Sequence, residues 1–296
     1  PAIKMTGYSA WLAYFFAIIM GFLMILPNVF VSSVVRMGGG NYSMLCGMAG
    51  PRVAGVFAYM YLTQCLSLSL FGTSAAAYLG DVIPALNTPA ARTIVGALLL
   101  TFFYVINLMG IDIMAKAQKM MTWLLIATLI MFAIGGIIKI KLPIFDTGDP
   151  KWLINGWGLT FDNGQISGGF IGAVLLFVYS CQGYYMTTAY GREAKNARND
   201  IPKILIASAP TLIVIYVGVA IAATGVMSVE DYGQSTTLVF AAQKIFPKFL
   251  FYVFIIGGPI MALLSTLNSS FAYNAINIGQ SCDDGWLPAG FGKKNS

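Results

Sequence analysis

Residues 170–190 read FIGAVLLFVYSCQGYYMTTAY, and this stretch decides the fold. It begins as an apolar run suited to a bilayer, but its middle holds a polar, glycine-containing sequence from Ser180 to Gly183. Inside a membrane such an interruption is tolerated only where it is covered by protein or lines a water-filled cavity. Many secondary transporters hold their cargo at a break between two half-helices. The stretch therefore predicts a discontinuous membrane span at a substrate site.

The composition indicates a membrane protein. Hydrophobic residues make up 58% of the 296 positions and charged residues only 9%, whereas soluble domains carry about 25% charged residues. The long apolar runs lack strict alternation, which favours helices over an outer-membrane barrel. We therefore expect an all-α polytopic membrane protein in a plasma or inner membrane, with the lipid bilayer as its surroundings.

Seven apolar segments are long enough to cross a bilayer at about 20 residues each. We expect them to form a single transmembrane domain over residues 1–296, with two long loops at 139–165 and 228–248. The chain starts at Pro1 and stops abruptly at Ser296, so we expect a piece of a longer protein. In chain order the segments are 8–35, 53–79, 91–108, 116–138, 169–190, 203–227 and 250–277.

The residue inventory argues against several classes of function. The chain has no histidine, which excludes His-ligated metals and His general bases. Its four cysteines are scattered without a CxxC motif, and its basic residues lie singly between apolar segments. We therefore expect no cofactor, no metal and no nucleic-acid partner. We interpret the net charge of +6 as the Lys and Arg residues in loops that set the orientation of the spans in the membrane. The cysteines, which we expect to be free thiols, are Cys46, Cys65, Cys181 and Cys282.

Several short motifs follow one another along the chain. In order they are GGGNY at 38–42, NLMG at 107–110 with AKAQ at 115–118, Gly183 with EAKNARNDIP at 193–202, STLN at 265–268, and DGWLP at 284–288 with FGK at 291–293. Together they resemble the motifs of the amino acid–polyamine–organocation permeases, in the same order and over most of the chain. This resemblance implies a leucine-transporter-type bundle of two inverted five-helix repeats.

The same resemblance implies that the bundle is incomplete. It numbers the seven segments as the second to eighth of a usual twelve, with one of them discontinuous. The first helix of the family, which is the pseudo-symmetric partner of the broken span 170–190, would then be missing, as would those after the eighth. We accordingly expect the missing helices of the same chain as partners and only half of the substrate site.

The resemblance also implies a role for the break itself. In the family, the equivalent backbone carbonyls contact the α-amino group of an amino acid. Gln182 and Cys181 would tune the side-chain pocket, and Tyr184 would cap it by stacking. The alternative is a glycine kink packed against a neighbouring helix. The predicted backbone contacts are Val178, Tyr179, Ser180, Cys181 and Gly183.

Other polar residues carry weaker predictions. Gln64 and Ser67 share one helix face, where they line the pathway or bond across helices. Ser265 and Thr266 correspond to hydroxyls that help to bind sodium in coupled relatives, or they bond their own helix backbone.

The resemblance ties the end of the broken span to an inner gate. The family often has two acidic residues there, and this chain has Arg192 and Glu193. The alternative is a pair of solvated loop charges. The bias of Lys and Arg places this link on the inside of the membrane.

These observations favour a permease that moves a neutral amino acid or related amine by alternating access. No carboxylate lies at mid-depth in a span, so we expect no titrating carrier residue within the spans and no intramembrane enzyme. Coupling to Na⁺, to H⁺ or to a counter-substrate stays open, as symport or antiport. The rival interpretation is a channel or a non-transporting membrane subunit, although a channel more often shows a repeated filter or a charged ring.

Overall fold

A computed structural model describes residues 2–35, 38–162, 164–192, 194–228 and 238–292. Within them the side chains of Ala2, Gln182, Tyr184 and Tyr185 are outside the description. The regular structure of the described residues is helical apart from one short hairpin, in which β1 (Thr160–Asp162) pairs antiparallel with β2 (Gln165–Gly168).

The α-helices are numbered here in chain order. They are α1 (Ala2–Thr6), α2 (Ala10–Val34), α3 (Gly40–Ala49), α4 (Pro51–Cys65), α5 (Ser67–Val82), α6 (Pro89–Leu108), α7 (Ile111–Ile138), α8 (Phe170–Ser180), α9 (Ala197–Leu212), α10 (Gly218–Val226), α11 (Leu238–Ile245), α12 (Lys248–Ile255) and α13 (Met261–Asp283).

Short segments of 3-10 helix and of π-helix connect some of these α-helices. Turns of 3-10 helix cover Gly7–Ser9, Pro84–Leu86, Gln182–Gly191 and Ala289–Gly292. A π-helical turn, Ile213–Val217, joins α9 to α10, and a second, Ile256–Ile260, joins α12 to α13. The second contains Pro259, which cannot donate a backbone hydrogen bond in a regular α-helix.

Six helical stretches of the described residues are long and apolar enough to cross a membrane: Ile3–Val34, Pro51–Val82, Pro89–Leu108, Ile111–Ile138, Ala197–Val226 and Lys248–Asp283. The predicted segment 169–190 is different. It forms the 11-residue apolar helix α8, and residues Gln182–Gly191 then continue as 3-10 helix with a kink at Tyr190. The polar sequence after Tyr179 thus coincides with a change of helix type.

Backbone contacts divide the chain into two compact units. Unit 1 consists of Pro1–Leu26, Ile126–Tyr184 and Ile206–Phe254. In its core Ala13 and Ala17 pack with Phe170 and Ala173, and small side chains of this kind let helices approach closely.

The loop that precedes the hairpin is also fixed within unit 1. The indole N–H groups of Trp11 and Trp152 both donate to the carbonyl of Ile144, at 3.3 and 3.0 Å. The backbone N–H of Tyr8 donates to the carbonyl of Lys151 at 3.0 Å. These contacts hold the loop against the start of α2.

Unit 2 consists of Pro27–Leu125, Tyr185–Leu205 and Ile255–Ser296. Helices α5 and α6 pack closely within it, because Gly72 and Gly96 face each other: a Cβ at Gly72 would lie 3.0 Å from the Gly96 carbonyl oxygen. One part of its core joins α3, α4 and α13 through Tyr42, Tyr61 and Tyr273. Helix α13 also buries several polar side chains here, of which Asn268 and Asn277 are fully buried.

Candidate functional site

The candidate site in unit 1 is the end of α8. The backbone N–H of Cys181 turns back to the carbonyl of Val178 at 3.0 Å, and from Gln182 the chain continues as 3-10 helix. The last carbonyls of an α-helix lack the N–H partners that the next turn would supply. Here the following 3-10 turn supplies such a partner to Val178, and a carbonyl oxygen that accepts one hydrogen bond still has a second lone pair that can accept a bond from another molecule.

The predicted binding residues point in different directions. Val178 and Cys181 are buried, with 6% and 3% of their surfaces exposed, whereas Tyr179 is 74% exposed. Gly183 is exposed, and a Cβ built on it would meet no atom within 4 Å. There is open space beside Gly183. The side chains of Gln182 and Tyr184, which we expected to tune and cap the pocket, lie outside the described residues.

Tyr14 reaches this end of α8 from α2. Its hydroxyl lies 3.0 Å from Ser180 Oγ, and the Ser180 hydroxyl in turn donates to the carbonyl of Phe177 at 2.7 Å. A serine hydroxyl has only one hydrogen, so Tyr14 must donate the first of these bonds. The ring of Tyr14 also packs on Phe177 with centroids 3.9 Å apart. Tyr14 thereby fixes the last turn of α8.

Tyr216 adds a third aromatic ring beside those of Tyr14 and Phe177. Its ring meets that of Tyr14 edge to face, with centroids 5.5 Å apart. Tyr216 belongs to the π-helical turn Ile213–Val217, and π-turns are frequent at functional sites. Neither tyrosine is among the site residues predicted from the sequence, because nothing in their local sequence marks them.

Gln64 and Ser67 belong to unit 2, at the junction of α4 and α5. The Ser67 hydroxyl donates to the carbonyl of Gln64 at 2.6 Å. Ser67 is exposed and Gln64 is half-buried. The shared face of the two side chains and their role in the pathway both stay predictions.

Ser265 and Thr266 lie near the start of α13. Both hydroxyls donate to the carbonyl of Ala262, at 3.0 and 2.8 Å. A hydroxyl that donates to its own helix still has oxygen lone pairs that can ligate an ion. Ion binding at this position stays a prediction.

The predicted gate residue Arg192 lies in unit 2, at the end of the 3-10 segment. Its guanidinium donates to Gln280 Oε1 at 3.0 Å, and Gln280 Nε2 donates to Asp284 Oδ1 at 3.3 Å. A Cβ on Gly38 would lie 2.1 Å from the Cγ and Cδ atoms of Arg192. The glycine-rich link therefore leaves room for the Arg192 side chain. Glu193, the other predicted gate residue, lies outside the described residues.

Beside Arg192, unit 2 has a small crevice. Asn41 Oδ1 is the acceptor for Asn28 Nδ2 at 3.4 Å and for the Thr188 hydroxyl at 3.5 Å. The backbone N–H of Tyr42 donates to Asn277 Oδ1 at 3.1 Å. The GGGNY motif is thus bonded to the end of the broken span and to α13. Residues that line the crevice include Asn28, Ser32, Gly40, Thr188, Gly191 and Ile201.

Tyr42 itself is fully buried, and among the described residues its hydroxyl has no partner at ordinary hydrogen-bond geometry. Burial raises the pKa of Tyr42, and the nearby carboxylate of Asp284 raises it further. The phenol therefore stays neutral at physiological pH.

No group of three or more Cys, Asp or Glu side chains that could hold a metal occurs in the described part of the chain. The polar groups of the candidate sites described above are amides, hydroxyls, backbone carbonyls, the Arg192 guanidinium and the Asp284 carboxylate. Such groups can bind and release a small polar molecule.

Comparison with known proteins places these features in one family. The family model described as amino acid permease matches residues 1–296, which is the whole chain. An uncharacterized protein of Methanocaldococcus jannaschii is 25% identical over 242 residues, a match that covers 79% of this chain and 51% of the relative. The chain thus spans about half the length of this curated relative.

Proposed function

The chain belongs to the amino acid permease family, and from this premise we propose that it moves a neutral amino acid or related amine by alternating access. The family consists of transporters and is not a class of enzymes. The predicted fold, an all-α polytopic bundle of the leucine-transporter type, is confirmed by the family match and by the six apolar helical stretches. The chain is therefore a multi-pass membrane protein of this family, and its transport activity, cargo and mechanism are the subject of the proposal.

The observation that carries the proposal is the end of α8 at Ser180. The carbonyl end of a helix has a partial negative charge of about half an elementary charge, which favours a cation. The α-amino group of an amino acid is such a cation and also a hydrogen-bond donor. In the proposed mechanism it binds the carbonyls of residues 178–181, and the open space beside Gly183 accommodates the rest of the cargo.

The absence of charge in this segment supports a neutral cargo. Residues 170–191 contain no Asp, Glu, Lys or Arg. A charged cargo side chain buried here would lose its hydration without gaining a counter-ion, which is unfavourable. Tyr14, Phe177 and Tyr216 instead offer aromatic surface, to which an apolar or small polar side chain is suited.

The proposed inner gate is the contact of Arg192 with Gln280. It joins the tail of the broken span to the end of α13, so breaking it would free the tail to move. Sodium coupling through Ser265 and Thr266, proton coupling and exchange for a counter-substrate are alternative sources of driving force. We propose the plasma or inner membrane as the location.

Counterflow into proteoliposomes tests the function. The full-length protein is reconstituted, loaded with unlabelled neutral L-amino acid and exposed to a labelled one. We expect saturable uptake that is accelerated by internal L-amino acid and not by the D-enantiomer. Flux that is unsaturable and independent of internal amino acid would identify a channel. Uptake of cationic amino acids alone would contradict the neutral cargo.

A further inference from the structure

The β1–β2 hairpin of unit 1 carries an apolar face that the transport proposal does not use. Phe161 lies directly opposite Ile166, while Asp162 lies opposite Gln165. Neighbouring residues of a strand point to opposite faces, so Phe161 and Ile166 share one face and the two polar side chains share the other. Phe161 is 63% exposed and Ile166 is 41% exposed. The hairpin is therefore amphipathic, with its apolar face uncovered.

Trp157 extends this face just before the hairpin. It is 57% exposed, and its ring lies 5.0 Å from that of Phe170 at the start of α8. Within the described ranges its indole N–H has no hydrogen-bond partner, whereas those of Trp11 and Trp152 are bonded. An exposed indole with an unused N–H suits a boundary that is apolar on one side and polar on the other.

The face is continuous with exposed apolar surfaces of α2 and α8. Ile166 packs against Gly172 of α8, where a Cβ would lie 2.8 Å from Ile166 Cγ2. The ring of Phe170 lies 6.1 Å from Phe16 of α2, which is 44% exposed. Both helices expose further apolar side chains, as expected where acyl chains surround a membrane protein. These are Ile19, Met20 and Leu23 of α2 and Ile171, Leu175 and Leu176 of α8.

We propose that the hairpin is a membrane-interface anchor, in which Trp157, Phe161 and Ile166 insert at the boundary between headgroups and acyl chains. Aromatic side chains concentrate at this level of membrane proteins. The indole N–H then bonds a headgroup, and Asp162 and Gln165 stay in water.

The size of the face favours lipid over a protein partner. Three side chains of this kind offer at most about 750 Å² when fully exposed, and these three are only 41% to 63% exposed. A stable protein interface buries about 800 Å² per partner. Lipid requires no minimum area, since each apolar side chain that enters the bilayer leaves water independently.

Depth-dependent quenching tests the anchor. The full-length protein in which Trp157 is the only tryptophan, with Trp11, Trp123, Trp152, Trp286 and every tryptophan outside residues 1–296 changed to Phe, is reconstituted in phosphatidylcholine vesicles. We expect bromines placed high on the acyl chains to quench Trp157 strongly, and bromines near the chain ends or aqueous iodide to quench it weakly. A matched chain that keeps only Trp123, 64% exposed near the middle of α7, should show the opposite depth profile.

Two results would overturn the anchor. Strong quenching by iodide would place Trp157 in water, and protection from every quencher would mean that protein covers the face. If the single-tryptophan chain fails to fold, benzoylphenylalanine at position 161 of the otherwise unchanged chain replaces it. Light-induced adducts with lipid support the anchor, whereas adducts with protein, or none, contradict it.

Discussion

The side-chain amide of Asn107 donates a hydrogen bond to Asn268 Oδ1 across 3.1 Å, although 161 positions separate the two residues in the sequence. Asn268 is fully buried, and its own amide donates to Gln118 Oε1 at 2.9 Å and to the carbonyl of Met114 at 3.3 Å. One asparagine of α13 therefore bonds α6 and α7 together. Asn107, Gln118 and Asn268 belong to the NLMG, AKAQ and STLN motifs, respectively. These three short motifs therefore meet in one hydrogen-bond network.

Asn268→Ala should lower the free energy of unfolding by about 1–3 kcal/mol, because it leaves buried polar partners without hydrogen bonds. The measurement is the unfolding midpoint of the purified chain in a titration with a denaturing detergent. The control is Ser269→Ala, since the Ser269 hydroxyl donates only to carbonyls of its own helix. That change should stay within about 0.5 kcal/mol. Equal effects of the two substitutions would contradict the bridging role.

Tyr14→Phe should weaken amino acid binding about threefold to tenfold, equivalent to roughly 1 kcal/mol for one lost hydrogen bond. The ring contact with Phe177 stays, but the last turn of α8 loses the bond to Ser180. Equilibrium binding of a labelled neutral amino acid to the full-length protein measures the change.

The matched control for Tyr14 is Tyr216→Phe. The Tyr216 hydroxyl has no hydrogen-bond partner among the described residues, while its ring meets Tyr14. Its removal should leave binding unchanged if the bond to Ser180 is what matters. A loss of affinity in Tyr216→Phe and none in Tyr14→Phe would mean that the cargo uses the other hydroxyl.

Gly38→Ala should slow uptake with little effect on stability. Its new methyl group would occupy the space of the Arg192 side chain, which is exposed and flexible and can swing away. The hydrogen bond from Arg192 to Gln280 would then be lost although both residues are unchanged. The measurement is the initial rate of counterflow, with the unfolding midpoint measured in parallel.

Two further variants identify the cause of the Gly38 effect. Gln280→Ala removes the acceptor of Arg192 and should slow uptake to a similar degree. Gly290→Ala adds a methyl group where no atom lies within 4 Å, so it should leave uptake unchanged. If Gly38→Ala behaves like Gly290→Ala, the Arg192 contact does not control transport.

The sequence predicted the features that depend on local chemistry. Membrane spans can be recognised in a sequence because a span needs about 20 consecutive, mostly apolar residues, whatever the rest of the fold. The polar sequence after Tyr179 likewise marks the end of α8. The hairpin could also have been predicted, since the sequence Asn163-Gly164 is typical of a two-residue hairpin turn. We predicted a long loop over 139–165 instead, whereas β1 and β2 pair there.

Features that depend on distant contacts could not be predicted in this way. Tyr14 and Ser180 are 166 positions apart, and no periodicity relates them. The π-helical turn Ile213–Val217 consists of ordinary apolar residues without Gly or Pro, so its extra residue per turn leaves no trace in the sequence. By contrast, the second π-turn contains Gly257, Gly258 and Pro259, which mark a kink.

Tyr42→Phe should reduce the decrease in the free energy of unfolding that occurs as the pH rises into the alkaline range. Because the pKa of Tyr42 is raised in the folded protein, the unfolded phenol ionises first, near its ordinary value of 10.0. Stability is therefore fully present below that pH and falls as the pH rises above it. Unfolding midpoints at neutral and strongly alkaline pH measure the slope. A slope that is unchanged in Tyr42→Phe would show that other groups cause the alkaline loss.

Gly183→Ala should abolish counterflow or reduce it about tenfold while leaving stability unchanged, because one misplaced methyl group at the cargo can cost more than 1 kcal/mol of binding. Among the described residues, chain neighbours aside, no atom lies within 4 Å of the added methyl group, so we expect the folded chain to accept it and a bound cargo to meet it. Gly279→Ala is the control, since it too adds a methyl group to open space, on α13. Its uptake should equal that of the unmodified protein. Normal uptake by Gly183→Ala would place the cargo elsewhere, and the end of α8 would then be a packed kink, as in the alternative interpretation of the break.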